Sequence, residues 1–245
     1  MSLYVISDLH LSTNENTGKS MEVFGFRWKD YVQKLERNWR AVVTEDDTVV
    51  VPGDISWAMT VSEAVSDFKF LDSLPGEKII SKGNHDFWWS TASKINNFFE
   101  ENKIKSVRLL HNNALETNDF IICGTRGWFN DETQQNAVVR NNVDHQKIVA
   151  RECMRLKMSL DEGKKISELS KKEILVFMHF PPFYNDFVCR EFIDILAEYK
   201  IKRCFFGHIH GNYYMNKVTE FEGIKFIMTS SDYLNFCPMP IFMEN

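Results

Sequence analysis

Apolar positions along the chain recur in two modes. Short β-branched runs at residues 3–7, 48–51 and 78–81 read as strands, and between them apolar side chains return every three or four positions. Residues 28–43 carry Trp28, Tyr31, Leu35, Trp39 and Val42 near one helical face, and further helices are expected over 60–74 and 90–102. Strands follow at 107–110 and 120–123. A polar stretch over 125–140 then leads into a helix near 142–162, with Val149, Cys153, Leu156 and Leu160 at spacings of 4, 3 and 4. This part interrupts the alternation, and about 125–170 is expected to form a helical, lid-like insertion. The pattern resumes with a strand at 174–178, a helix near 188–199 and a strand at 204–206, and closes with strands at 213–218, 225–229 and 241–243.

The early alternation suggests parallel strands with crossover helices, and the strand-rich end suggests antiparallel additions. Two mixed β-sheets packed face to face with helices outside satisfy both: an α/β (α+β) fold, a four-layer α/β/β/α sandwich. There is no repeat, low-complexity tract or obvious linker, so one domain is expected over residues 1–245.

Composition narrows the class. Hydrophobic residues make up 44% and charged residues 26%, the balance of an ordinary globular protein. The five cysteines are scattered and form no C-x-x-C pair, which reads as reduced thiols in a cytoplasmic protein. No signal peptide is visible at the N-terminus, and no apolar run approaches the roughly 18 residues of a membrane span. The net charge of −5 argues against a broad basic surface for nucleic acid, although bound cations can supply local positive charge.

Candidate chemistry lies at strand ends. Five segments each close an apolar run with Asp, Asn or His: Ser7-Asp8-Leu9-His10, Gly53-Asp54, Gly83-Asn84-His85-Asp86, Met178-His179-Phe180 and Gly207-His208-Ile209-His210. Five of the seven histidines fall here. Strand tips of an open α/β sheet converge on one crevice. Mixed Asp and His donors suit Mn, Fe, Zn, Ni or Co, whereas calcium takes oxygen alone. Side-chain alternation along an extended segment is expected to put Asp8 with His10, and His208 with His210, on one side. Gly53, Gly83 and Gly207 allow tight turns just before the ligands.

In this order, D-x-H, G-D, G-N-H-D, a lone H and G-H-x-H resemble the motifs of the calcineurin-like metallophosphoesterases, from Asp8 to His210. The resemblance implies two mixed sheets flanked by helices and two divalent metal ions. One ion would be held by Asp8, His10, Asp54 and His210, the other by Asp54, Asn84, His179 and His208, with Asp54 bridging. It also implies a hydroxide, formed from a shared water between the ions, that attacks phosphorus in line. His85, beside Asn84, would protonate the departing oxygen, and Asp86 would orient the His85 ring.

Departures from the family limit the substrate. Gly53-Asp54-Ile55-Ser56-Trp57 lacks the G-D-x-x-D-R-G pattern of serine/threonine protein phosphatases, and Asp86 stands where those enzymes carry Glu. A small phosphomonoester or phosphodiester, with nucleotide-derived molecules among the candidates, is the leading substrate class. A nuclease acting on DNA or RNA and a metal-binding scaffold without activity are the alternatives. Arg126 and Arg140 are candidates to clamp a distal substrate group, or are surface charges. Trp88 either walls the pocket or packs in the core. His111 reads as a turn residue and His145 as a helix-face residue.

Overall fold

The computed structural model describes residues 1–14, 21–129, 144–214 and 216–244. Its first sheet takes strands β1 (Leu3–Val5), β2 (Thr48–Pro52), β3 (Glu77–Ser81) and β4 (Val107–Leu109), all parallel, with β13 (Met239–Ile241) antiparallel against β1. The order is β13-β1-β2-β3-β4. In the second sheet β6 (Phe120–Thr125), β7 (Glu173–Met178), β10 (Arg203–Phe206) and β12 (Ile224–Met228) are parallel. It is edged by antiparallel β5 (Leu115–Glu116) and β11 (Val218–Phe221), giving β11-β12-β10-β7-β6-β5. A small hairpin joins β8 (Phe183–Tyr184) to β9 (Phe187–Val188).

Period-2 alternation builds three apolar layers from these strands. Val50, Ile79, Ile122, Leu175, Phe177, Phe205 and Ile227 point between the sheets. Their neighbours Val49, Val51 and Ile80 point outward, under helices α1 (Tyr31–Val42), α2 (Val65–Ser73) and α3 (Ala92–Glu101). On the far side Ile121, Cys123, Val176, Cys204 and Phe226 face α4 (His145–Ser170) and α5 (Arg190–Glu198). Buried on both faces, the central strands must be apolar throughout, which is why their sequences read as unbroken runs. The α/β/β/α sandwich follows. Among the described residues, no helix is long and apolar enough to cross a membrane.

Several expected boundaries shift for local reasons. α1 begins at Tyr31, because two short 3-10 turns, Met21–Phe24 and Phe26–Trp28, precede it; Trp28 is buried from the turn, not from the helix. α2 starts at Val65, with a turn over 60–64 before it. The closing strands fall at 218–221, 224–228 and 239–241. The helix expected over 142–162 runs His145–Ser170, with Asp144 capping its start by accepting from the Lys147 N–H at 3.0 Å. It is not a lid. Val149, Leu156 and Leu160 bury it against the second sheet, and Gly163 lets it approach Cys123 so closely that a Cβ there would collide with the sulfur. Residues 130–143, including Arg140, lie outside the described residues.

Candidate metal centre

Parallel strands of both sheets end at one edge, and there the backbone sets the site. Beyond β1 the chain stays paired to the loop after β2: the Asp8 N–H donates to Gly53 O at 3.0 Å and the His10 N–H to Asp54 O at 2.9 Å. The same tip is tied to the second sheet, where the Ser7 N–H donates to Thr229 O and the Ser231 N–H to Ser7 O, both at 2.9 Å. Asp8, His10, Asp54 and His208 take left-handed backbone conformations, with φ of 59°, 46°, 54° and 70°. Asp and His are among the residues that enter this region at modest cost, and such turns gather at functional sites. Left-handed turns, not alternation along an extended strand, therefore bring Asp8 to His10 and aim His208. The glycines provide clearance: a Cβ on Gly53 would stand 2.8 Å from His179 Nδ1, one on Gly83 would strike the Asp54 carboxylate, and one on Gly207 the Asp8 carboxylate.

The side chains meet as two overlapping groups. Asp8, His10 and His210 offer donors to one point, and Asp8, Asp54 and His179 to another. His10 Nε2 lies 3.2 Å from His210 Nε2, and His210 Nε2 lies 3.4 Å from Asp8 Oδ1. Asn84 Oδ1 lies 2.7 Å from His179 Nε2 and 2.9 Å from His208 Nδ1. Asp54 Oδ2 stands between the groups, 3.6 Å from His10 Nε2 and 3.4 Å from His179 Nε2. Donors bound to one transition-metal ion at about 2.0–2.2 Å stand roughly 3–3.5 Å from one another, so this packing of N and O atoms matches a cation's coordination sphere.

Electrostatics point the same way. Burial lowers His10, His208 and His179, the last to about 4, which keeps these rings neutral and able to ligate. Asp54 is pushed well above the usual carboxylate range by burial and by the charges of Asp86 and Asp8. Burial opposes the charge on His210 too, but its hydrogen bonds to Asp232 and Asp8 outweigh this and raise it to about 10. The same imidazolium holds Asp8 well below its ordinary value despite burial. A crowd of buried carboxylates stabilised by protons is a place where cations can take the protons' role.

Against this geometry, comparison with protein families finds that the model of the calcineurin-like phosphoesterases matches residues 1–212. The chain belongs to the calcineurin-like phosphoesterase family. It is accordingly a metal-dependent phosphoester hydrolase. Among solved structures the phosphoesterase is similar to the phosphopantetheinyl hydrolase of Mycobacterium tuberculosis, with 14% identity and a TM-score of 0.59 over 99% of this chain and 96% of that one. It is also similar to the protein TT1561 of Thermus thermophilus, with 9% identity and a TM-score of 0.56 over 94% of this chain and 89% of that one. These likenesses concern the fold. No curated protein matches the chain.

Around the phosphoesterase's metal-binding groups, five sequence expectations meet different outcomes. The His85 ring stands at the edge, 5.6 Å from the His10 ring between centroids and 4.4 Å from that of Trp57, while its backbone N–H donates to Asp54 Oδ1 at 2.8 Å. Asp86 does not serve mainly to orient that ring. Its buried oxygens accept from the N–H groups of Asp54, Ile55, Ser56 and Gly83 and from Trp88 Nε1. Five donors fill the lone-pair sites of a carboxylate, so Asp86 pins the loop that presents Asp54. Trp88 is a core residue, buried edge-on against Phe68, because its indole N–H must reach Asp86 beneath the loop. Arg126 is largely buried, 4.7 Å over the Trp128 ring and 3.3 Å from Glu152. His145 is buried at the start of α4 and accepts from Trp128 Nε1 at 3.1 Å, so it belongs to packing.

Sequence reasoning missed Asp232. Fully buried after β12, it accepts from His210 Nδ1 at 2.9 Å, from the Gly211 N–H and from Tyr213 Oη. The polar run Thr229-Ser230-Ser231-Asp232 closing an apolar strand is the same signal as the five motifs, and would have revealed it. Trp57, stacked 5.1 Å from the His10 ring, was also missed; nothing in its local sequence marks it.

Proposed function

We propose that this phosphoesterase holds two divalent cations, bridged by Asp54, and hydrolyses a small phosphomonoester or phosphodiester. The observation that carries the reading is the position of Asp54 Oδ2 between His10 Nε2 and His179 Nε2, at 3.6 and 3.4 Å. Asp8, His10, Asp54 and His210 would hold one ion; Asp54, Asn84, His179 and His208 would hold the other. Bound there, the pair would grip phosphoryl oxygens and lower the pKa of water toward neutrality.

The chain's own residues do the rest. Asp86 fixes the loop carrying Asp54, and Asp232 holds the His210 ring through Nδ1, leaving Nε2 turned inward. His85, held by its backbone at Asp54 Oδ1 and flanked by Trp57, delivers a proton to the departing oxygen. The decisive experiment measures bound metal together with turnover of p-nitrophenyl phosphate and bis(p-nitrophenyl) phosphate after loading with Mn, Fe, Zn, Ni or Co. Two equivalents of metal and metal-dependent release of p-nitrophenol are expected. Binding of a single ion would end the bridged assignment, and two ions without turnover on either ester would leave a scaffold.

A further inference from the structure

On the His210 side of the metal-binding groups the surface opens into a groove of about 700 Å³, within the roughly 300–1,000 Å³ of small-molecule sites. It is walled by the two 3-10 turns before α1, one face of α1 and the loops after β10 and β12. Two chains of contact tie it to His210. Tyr213, in its wall, donates to Asp232 Oδ2 at 3.1 Å, and Asp232 Oδ1 accepts from His210 Nδ1 at 2.9 Å. Two hydrogen bonds across one carboxylate leave Tyr213 Oη no more than about 8 Å from His210 Nδ1. Phe236, also in the wall, packs edge-on against Trp28 at 5.1 Å, and the Trp28 ring lies 5.5 Å from that of His210. The surface between is open, since His210, Asn212 and Tyr213 are half-buried and Gly211 is exposed.

The lining joins cations to aromatic rings. Arg27, Lys34 and Arg37 line the groove, and among the described residues no carboxylate does. In a protein of net charge −5 this is a local excess of positive charge. None of the three is neutralised by an ion pair among the described residues. Arg27 Nη1 donates to Asp232 O and to Asn235 Oδ1, each at 2.9 Å, and Lys34 Nζ donates to Arg27 O at 3.1 Å. Arg37, exposed on α1, makes neither a hydrogen bond nor an ion pair among the described residues. Phe24 and Phe26 are 67% and 87% exposed. Single exposed apolar residues are ordinary, but two rings beside three unpaired cations form a stacking platform along a positive track. The Arg27 guanidinium, 3.8 Å over the Tyr213 ring, fixes the end of that track nearest His210.

We propose that this groove binds a short single-stranded oligonucleotide, its bases stacked on Phe24 and Phe26 and its phosphates on Lys34 and Arg37, and leads one phosphodiester to the metal centre. Cleavage there rests on the centre proposed above. Water adds across one P–O bond, leaving a phosphomonoester on one fragment and a protonated hydroxyl on the other. An acidic peptide would meet the cations and leave the rings bare, and an apolar partner would cover the rings and strand the cations. A nucleotide chain answers both, and it carries the ester that this family hydrolyses. A duplex does not, because its paired bases offer no free faces.

Isothermal titration of the chelator-treated protein with trithymidylate tests the groove without metal, against an abasic trimer of the same charge. Trithymidylate is expected to bind about tenfold more tightly than the abasic trimer. Lys34→Gln and Arg37→Gln should each weaken it about threefold and Phe26→Ala about tenfold, while Phe26→Tyr, which keeps a ring, should bind as the unaltered protein does. In the metal-loaded enzyme trithymidylate should compete with bis(p-nitrophenyl) phosphate at a Ki near its Kd. Absence of binding, equal affinity for the abasic trimer, an affinity unmoved by the Gln and Ala substitutions, or binding without competition each overturns the proposal. Failure to turn over the bis-ester with any metal would instead sink the reading of the metal centre, and the titration would still decide the groove.

Discussion

Asp54 concentrates the chemistry of this protein at the scale of one residue. Its Oδ2 faces histidines from both groups and its Oδ1 accepts the His85 N–H. Asp54→Asn should lose both metal equivalents in a metal-content assay, because the proposed centre asks one carboxylate to serve two ions. His85 is separable from binding. In His85→Asn, alkyl phosphates, which need a proton on the departing oxygen, should slow about 10²–10⁴-fold, and p-nitrophenyl esters far less. Equal losses on both would remove His85 from acid catalysis. Asp232→Asn leaves His210 Nδ1 without its carboxylate partner and should weaken metal binding about 10–100-fold, read by competition with a chromogenic chelator.

At the scale of elements, turns decide whether the ligands meet. Gly83 sits where a Cβ would strike both the backbone and the carboxylate of Asp54, while Gly211, at φ 75°, has nothing within 4 Å of its Cβ position. Gly211→Ala should therefore cost only the roughly 1 kcal/mol of a strained backbone. Gly83→Ala should cost more by thermal melting and should abolish metal uptake. The Asp86 carboxylate organises the same loop through four backbone N–H groups and the Trp88 indole. Asp86→Ala strands those buried donors, and a loss of about 3–5 kcal/mol in denaturant unfolding is expected. The motifs were legible as letters at this scale, but their geometry was not. D-x-H and H-x-H suggest alternation on a strand, whereas Asp8, His10 and His208 are in left-handed turns. Backbone handedness at a strand end depends on what the next loop hydrogen-bonds, here the loop after β2.

For the whole molecule, the centre joins the two sheets. Asp8, His10, Asp54 and Asn84 come from the first and His179, His208 and His210 from the second, so cations bound there resist separation of the layers. Metal at about 1,000 times its Kd should add about 4 kcal/mol to stability, and a chelator should lower Tm correspondingly. The metal-free protein has its own pH dependence. His210 is raised from 6.5 to about 10, so its charged form stabilises the fold fully below about pH 6.5, and that contribution is lost as pH rises through 10. Tm of the chelated protein should fall across this window. Metal uptake at pH 7 should release protons from His210 and Asp54, measurable with an indicator dye in weak buffer.

The chain by itself determined the layered fold and the residue types gathered at the strand tips. Period-2 apolar runs can be buried only in sheets covered on both faces, and coordination demands particular donor atoms that are written as letters at strand ends. Tertiary structure alone decided the rest: that Trp88 goes inward, that Asp86 serves the loop, that α4 is a layer and not a lid, and that Asp232 stands behind His210. Each of these depends on which distant segment arrives opposite, and burial and hydrogen-bond partners are properties of that encounter, absent from any local window of sequence.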